Sequence, residues 1–155
     1  IVLFDRPSNK GNLGSIIRSC DAFGVDEIVV TGHAVDIYDS EVIAASMGSF
    51  FKIPIIKIVD NSEILKLINT MKEKYANFKV VATTSHNKQK IYNTNLNNPC
   101  LLIIGNETEG LCNNLYDNAD ISVSIPMSST SSASSFNVSC AATVILYEII
   151  RQRSE

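Results

Sequence analysis

The sequence predicts an α/β fold, a doubly wound, mostly parallel sheet with helices on both faces. Two observations predict it. Apolar stretches of strand length alternate along the chain with segments whose apolar residues recur at helical spacing. The strand-like stretches, Leu101–Ile104 among them, are apolar without a polar face, as strands covered on both sides must be. The chain has 155 residues, enough for a sizeable core, and no internal repeat or composition shift divides it. Residues 1–155 are therefore read as one domain.

The elements follow in order. Ile1–Asp5 opens as a short apolar strand. Asn12–Phe23 carries Leu13, Ile16, Ile17, Cys20 and Phe23 on one stripe, and Asn12, between Gly11 and Gly14, is the expected helix cap. Glu27–Thr31 is β-branched and stops at Gly32. Ser40–Gly48 reads as a helix, with Val42, Ile43 and Met47 set among small residues. Ile53–Ile58 reads as a strand in which Pro54, lacking an N–H, marks an edge or a start. Asn61–Tyr75 repeats Ile64, Leu65, Ile68 and Met71 at helical spacing. Phe78–Thr83 and Cys100–Ile104 are strands, and Ile121–Ile125 alternates. Asn137–Arg153 ends the chain as a helix with a wide apolar stripe from Val138 to Ile150.

Composition bounds the function. With 45% hydrophobic and 19% charged residues the chain is globular rather than disordered. Its apolar runs are far too short to span a bilayer and no signal peptide opens it, so a cytoplasmic protein without a membrane partner is expected. There is no initiator Met, and Ile1 already starts a core strand, so a trimmed piece with a segment missing upstream is expected. Cys20, Cys100, Cys112 and Cys140 show no CxxC spacing and are expected to be buried free thiols. His33 and His86 lack metal-ligand spacing, so no metal is expected. The net charge of −3 and pI of about 5.4 are not the footprint of a free-standing nucleic-acid binder.

Ligands of open α/β sheets bind beyond the carboxyl ends of the strands, so the loops that follow strands are the candidates. The first, DRPSNKGNLGSIIR, has no GxGxxG, and its Arg18 lies off the apolar stripe of the helix that follows. The second, GNETEG at Gly105–Gly110, has two glycines but no Gly-Lys-Ser/Thr. Its Glu107 and Glu109 would repel a triphosphate, so a neutral or cationic ligand fits better. The third, IPMSSTSSASSFNVS from Ile125, holds seven serines in fifteen residues. Composition alone says linker. The terminal helix directly after it needs the sheet to bury its stripe, so an ordered loop is expected, with Ser135 or a neighbour capping that helix.

Together these loops resemble the three motifs of the SpoU/TrmH family of RNA ribose methyltransferases. The first motif resembles NLGSIIRSCDAFG (Asn12–Gly24), the second IIGNETEGL (Ile103–Leu111), and the third IPM…SFNVSCAATVILYE (Ile125–Glu148). They stand in the family's order, each after a strand, and cover nearly the whole chain. The resemblance implies an S-adenosylmethionine-dependent enzyme that methylates a ribose 2′-hydroxyl in rRNA or tRNA, a deep C-terminal trefoil knot, and a homodimer. Carried over residue by residue, it implies Asn12, Arg18, Glu107, Ser135 and Asn137 as catalytic residues. It implies cofactor contacts from Thr83, Gly105, Asn106, Glu107, Gly110, Ile125, Met127, Ser135 and Phe136. Two departures stand out: the family usually has Leu at Phe136, and its gap before the serine is shorter than Ser128–Ser134 and contains a glycine.

The resemblance also implies an N-terminal RNA-binding extension in many members, which would answer the acidic pI. Arg6, Lys10 and Arg18 are the basic residues near the site. A guanidinium is effectively always protonated, so Arg18 is expected to grip the adjacent phosphate and stabilise oxyanion charge rather than act as the base. Glu107 is expected to orient Arg18 or a loop, or to serve as a structural cap. Two other readings stay open: a Rossmann-like nucleotide or flavin enzyme, and a non-catalytic RNA-binding module of the same fold. The SCDAFG stretch leans towards the family branch that modifies rRNA.

Overall fold

The computed structural model describes residues 1–33, 35–85 and 89–154. Its elements run β1 (Val2–Phe4), α1 (Lys10–Ala22), β2 (Ile28–Thr31), α2 (Ser40–Ala45), β3 (Ile55–Ile58), α3 (Asn61–Lys74), β4 (Lys79–Thr83), β5 (Cys100–Ile104), α4 (Asn113–Asp117), β6 (Ile121–Val123) and α5 (Val138–Arg153). Short 3₁₀ turns occupy Ser49–Phe51 and Ile91–Asn93. The six strands form one sheet in the order β3-β2-β1-β5-β4-β6, and every pairing is parallel. The α/β sheet expected from the sequence is the one found.

The pleat explains why the strands read as apolar throughout. Successive side chains alternate faces. Val2 and Phe4 of β1 join a cluster with Leu13, Ile16 and Ile17 of α1, Val42 of α2, and Ile145 and Leu146 of α5. Leu3, between them, points the other way, into a cluster with Ile64 and Ile68 of α3 and Leu115 of α4. So α1, α2 and α5 cover one face and α3 and α4 the other. Pro54 precedes β3, which is an edge strand, as its missing N–H requires.

Boundaries moved where caps decide them. The expected cap, Asn12, lies inside α1; Asn9 is the cap, and its side chain accepts from Asn12 N at 2.8 Å. The helix therefore starts at Lys10. Asn137, not Ser135, caps α5: its Oδ1 accepts from Ser139 N at 2.9 Å and Cys140 N at 3.3 Å. The helix expected over Ser40–Gly48 stops at Ala45, because Met47 and Gly48 turn to positive φ. Helix α4 had no periodic signal, being a single short turn.

The cysteines also need correction. Cys20 and Cys100 are buried, but Cys112 is half-buried and Cys140 is exposed, since the apolar stripe of α5 passes through Ala142 and Ile145 instead. Among the described residues no group of His, Cys, Asp and Glu is placed to hold a metal, and no helix is long and apolar enough to cross a membrane. His86 lies outside the described residues.

Candidate functional site

Parallel strands deliver all their carboxyl ends to one edge of the sheet. The loops after β4, β5 and β6 meet there with the start of α5 and enclose a cavity of about 570 Å³. That volume lies within the range of small-molecule sites.

The loop after β5 is the most tightly built wall. Asn106 and Gly110 exchange two backbone hydrogen bonds of 3.0 Å each, closing a narrow turn. Asn106 Oδ1 accepts from Thr108 N at 2.8 Å and Glu109 N at 3.0 Å inside that turn. Gly110 has φ +72°, a left-handed conformation that glycine takes without strain. At Gly105 a Cβ would lie 2.6 Å from the Gly110 carbonyl carbon and 2.6 Å from Leu111 N. No side chain fits there, so the turn folds back over bare backbone.

Glu107 points out of this turn to the loop after β1. Its carboxylate accepts from Ser8 Oγ at 2.7 Å, Ser8 N at 3.1 Å, Asn9 N at 3.2 Å and Asn12 Nδ2 at 3.4 Å. Burial alone would raise its pKa; the Ser8 hydroxyl, the backbone amides and the Asn12 amide outweigh this and hold it below the usual carboxylate value. Asn12 Oδ1 in turn accepts from Asn137 Nδ2 at 3.1 Å. One polar chain thus links Glu107, Asn12 and Asn137, one residue from each of the three motifs.

The sequence-derived cofactor residues all line the cavity: Thr83 from β4; Gly105, Asn106, Glu107 and Gly110 from the tight turn; and Ile125, Met127, Ser135 and Phe136 from the serine-rich loop. Of the remaining candidates, Asn12 and Asn137 stand behind the wall, joined to it through Glu107. Arg18 is exposed on α1, does not line the cavity, and its guanidinium makes no hydrogen bond or ion pair among the described residues. The other two basic residues of that region are engaged. Lys10 Nζ lies 2.8 Å from Asp39 Oδ2, and Arg6 pairs with Asp5 and Glu109.

The serine-rich segment is not a featureless linker. Ser128 Oγ meets Thr130 Oγ1 at 2.8 Å, and Ser131 N donates to Ser128 O at 3.1 Å. Several lining residues were missed from sequence. Tyr116 and Asn113 of α4 line the cavity because the short helix follows the tight turn directly. The NNLYD composition, polar residues with one aromatic after a glycine loop, was the available signal. Ser8 and Asn9 were missed as Glu107 partners, since nothing local tells that a loop 98 residues away holds the carboxylate.

The donor set defines what the cavity suits. Its described lining residues include Glu107 and Glu109 but no lysine or arginine, alongside apolar Ile104, Val123, Ile125 and Ala142. Glu107 is turned to the loop after β1 and Glu109 is paired with Arg6, so what the lining offers is an apolar body without basic side chains, which suits a ligand that needs no cationic partner.

Comparison with known proteins bears on this arrangement. The SpoU rRNA Methylase family model matches residues 1–147. A relative from Streptomyces viridochromogenes named 23S rRNA (uridine(2479)-2'-O)-methyltransferase is 43% identical over 98% of this chain and 52% of its own length. A relative from Blochmanniella floridana, 23S rRNA (guanosine-2'-O-)-methyltransferase RlmB, is 33% identical over 99% of this chain and 58% of its own. The crystal structure of the SpoU methyltransferase AviRb from Streptomyces viridochromogenes in complex with AdoMet superposes with a TM-score of 0.93 at 42% identity, covering 99% of this chain and 57% of that one. The chain spans about half the length of the curated relatives it matches, at 52% and 58%.

Proposed function

This chain belongs to the SpoU rRNA methylase family, and on that premise we propose that it is the catalytic domain of an S-adenosylmethionine-dependent enzyme that methylates a ribose 2′-hydroxyl of rRNA or tRNA. The observation that carries the reading is the cavity itself: the second and third motifs line it, Asn12 of the first is hydrogen-bonded to Glu107 in its wall, and no lysine or arginine is among its described lining residues. A lining without basic side chains suits a sulfonium and leaves a nucleotide triphosphate without counter-charge. The donor chemistry therefore fits S-adenosylmethionine.

When bound, that cofactor supplies an activated methyl group. The protein's part is position and electrostatics. Gly105, Asn106 and Gly110 present close-approach backbone on one wall, and Ile125, Met127, Ser135 and Phe136 form the opposite one. The Glu107–Asn12–Asn137 chain fixes these walls relative to α1. Arg18, exposed and uncommitted among the described residues, grips a phosphate beside the target ribose and stabilises charge developing on its 2′-oxygen.

The finer features belong to the same proposal. A trefoil knot is supported by how α5 ends: Gln152 Oε1 accepts from Leu96 N at 2.8 Å and Arg153 Nε donates to Leu96 O at 3.1 Å, tying the last turn to the long β4–β5 connection. A homodimer is supported by Val144, Tyr147 and Ile150, which stay exposed on α5 although apolar. A share of RNA affinity from a segment beyond this domain is supported by the net charge of −3.

Mapping 2′-O-methyl sites in total RNA from cells with and without the gene tests the activity. Loss of one rRNA or tRNA site in the deletion strain is expected; an unchanged map overturns it.

A further inference from the structure

Arg6 has a backbone conformation that side-chain-bearing residues rarely take, with φ +47°. Two neighbours hold it there. Arg6 N donates to Thr31 Oγ1 at 3.2 Å. Gly32 gives the side chain room, since a Cβ on it would lie 2.7 Å from Arg6 Cγ. This backbone turn brings the guanidinium back over Asp5, whose carboxylate is only 2% exposed. Nε reaches the two Asp5 oxygens at 3.3 and 3.2 Å, and Nη2 reaches Oδ2 at 3.1 Å.

The same guanidinium continues to the tight turn after β5. Nη2 donates to Gly110 O at 3.2 Å, and Nη1 donates to Glu109 Oε2. The Arg6 carbonyl accepts from Asn106 Nδ2 at 2.7 Å. Arg6 therefore holds the turn at Asn106 and at Gly110, the two residues whose backbone pairing closes it. Asp5 adds a third hold, accepting from Cys112 N at 3.0 Å just beyond the turn. Each nitrogen of the guanidinium has an acceptor, and two carboxylates balance its charge.

Resting on the methyltransferase reading of the cavity, we infer that Arg6 is a positioning residue for the cofactor, clamping the 105–112 turn onto Asp5 in its binding shape, and is not a phosphate ligand for RNA. Its place beside the site and its positive charge suggest the second role from sequence. The contacts assign the first. A turn held at both ends presents its backbone without an ordering cost at the moment of binding.

The test uses the full-length protein with S-adenosylmethionine as the probe. Arg6→Met keeps the stem and removes the donors. Its Kd for the cofactor by calorimetry rises about tenfold, the worth of one charged hydrogen bond. KM for the cofactor rises by a larger factor than kcat falls, and Arg6→Lys recovers part of the loss. The slope of log RNA affinity against log salt stays as in the wild type. A phosphate contact would reduce it by about one. A wild-type cofactor Kd in Arg6→Met overturns the clamp, as does a changed salt slope. If Arg6→Met does not fold, Glu109→Gln decides through amide exchange at 106–112 rather than through Kd, since Glu109 lines the cavity itself. Amide exchange at 106–112 without cofactor is read in the same samples. Faster exchange in the variant supports the clamp and unchanged exchange overturns it. Absence of cofactor binding by the wild type overturns the methyltransferase reading alone.

Discussion

Asn137 Nδ2 donates to Asn12 Oδ1 at 3.1 Å, joining the cap of the last helix to the first turn of the first across 125 residues of chain. Asn12 passes the contact on to Glu107. Removing the middle member breaks the link between the other two. Asn12→Ala is expected to cost about 0.5–1.5 kcal/mol, the net worth of a typical hydrogen bond, since Asn137 is exposed and Glu107 keeps Ser8 and Asn9. Urea denaturation measures it. A double-mutant cycle with Asn137→Ala should give a sum of single effects larger than the double effect.

Acid should weaken this junction in a defined sense. The folded-state pKa of Glu107 lies below its usual 4.5, so its stabilising contribution is full above that value and is lost as pH falls through the lowered one. Glu148 behaves alike: hydrogen bonds from Arg151 and then Gln152 pull its carboxyl down to about 2. The wild type should therefore lose stability steadily as pH falls below about 4.5, and Glu148→Gln should show a shallower decline. Thermal unfolding at a series of pH values reads both, and parallel curves would remove Glu148 from the account.

Gly105→Ala should be among the most damaging small changes. Its new Cβ would stand 2.6 Å from two backbone atoms that cannot move without opening the turn. A stability loss of about 1–3 kcal/mol is expected from the overpacking, with cofactor binding lost in calorimetry even where the protein stays folded.

Arg18→Ala should separate chemistry from cofactor binding. The side chain is exposed and outside the cavity lining, so the cofactor Kd should stay at the wild-type value while methyl transfer is abolished. Near-normal turnover in this variant would remove Arg18 from the reaction.

Tyr147→Asp, on the exposed apolar stripe of α5, should convert the proposed dimer to a monomer in sedimentation experiments without loss of helicity. An unchanged sedimentation coefficient would place any dimer contact elsewhere.

The sheet was legible in the sequence because burial on both faces makes β1, β5 and all of β2 but Thr31 apolar, and helical stripes such as Ile64–Ile68 of α3 face the core directly. The helix starts were less legible. Asn9 and Asn12 are both good caps by type, and only the position of the first turn decides between them. The cavity walls were found through motifs because each follows a strand. The groups behind the walls were not. Asp5 reads as a polar stop after an apolar run, and its buried hold on Thr31, Arg6 and Cys112 depends on neighbours set by strand order rather than by sequence distance.

The placement of α5 sets a condition on synthesis. Val138, Ala141, Ala142 and Ile145 form one side of the cavity, yet they leave the ribosome after every strand has been made. A nascent chain that stops before Asn137 holds every strand but lacks the helix that closes one flank of the pocket and covers part of one face of the sheet. Competence to bind a ligand therefore arrives late and all at once, and a prematurely terminated product remains inert.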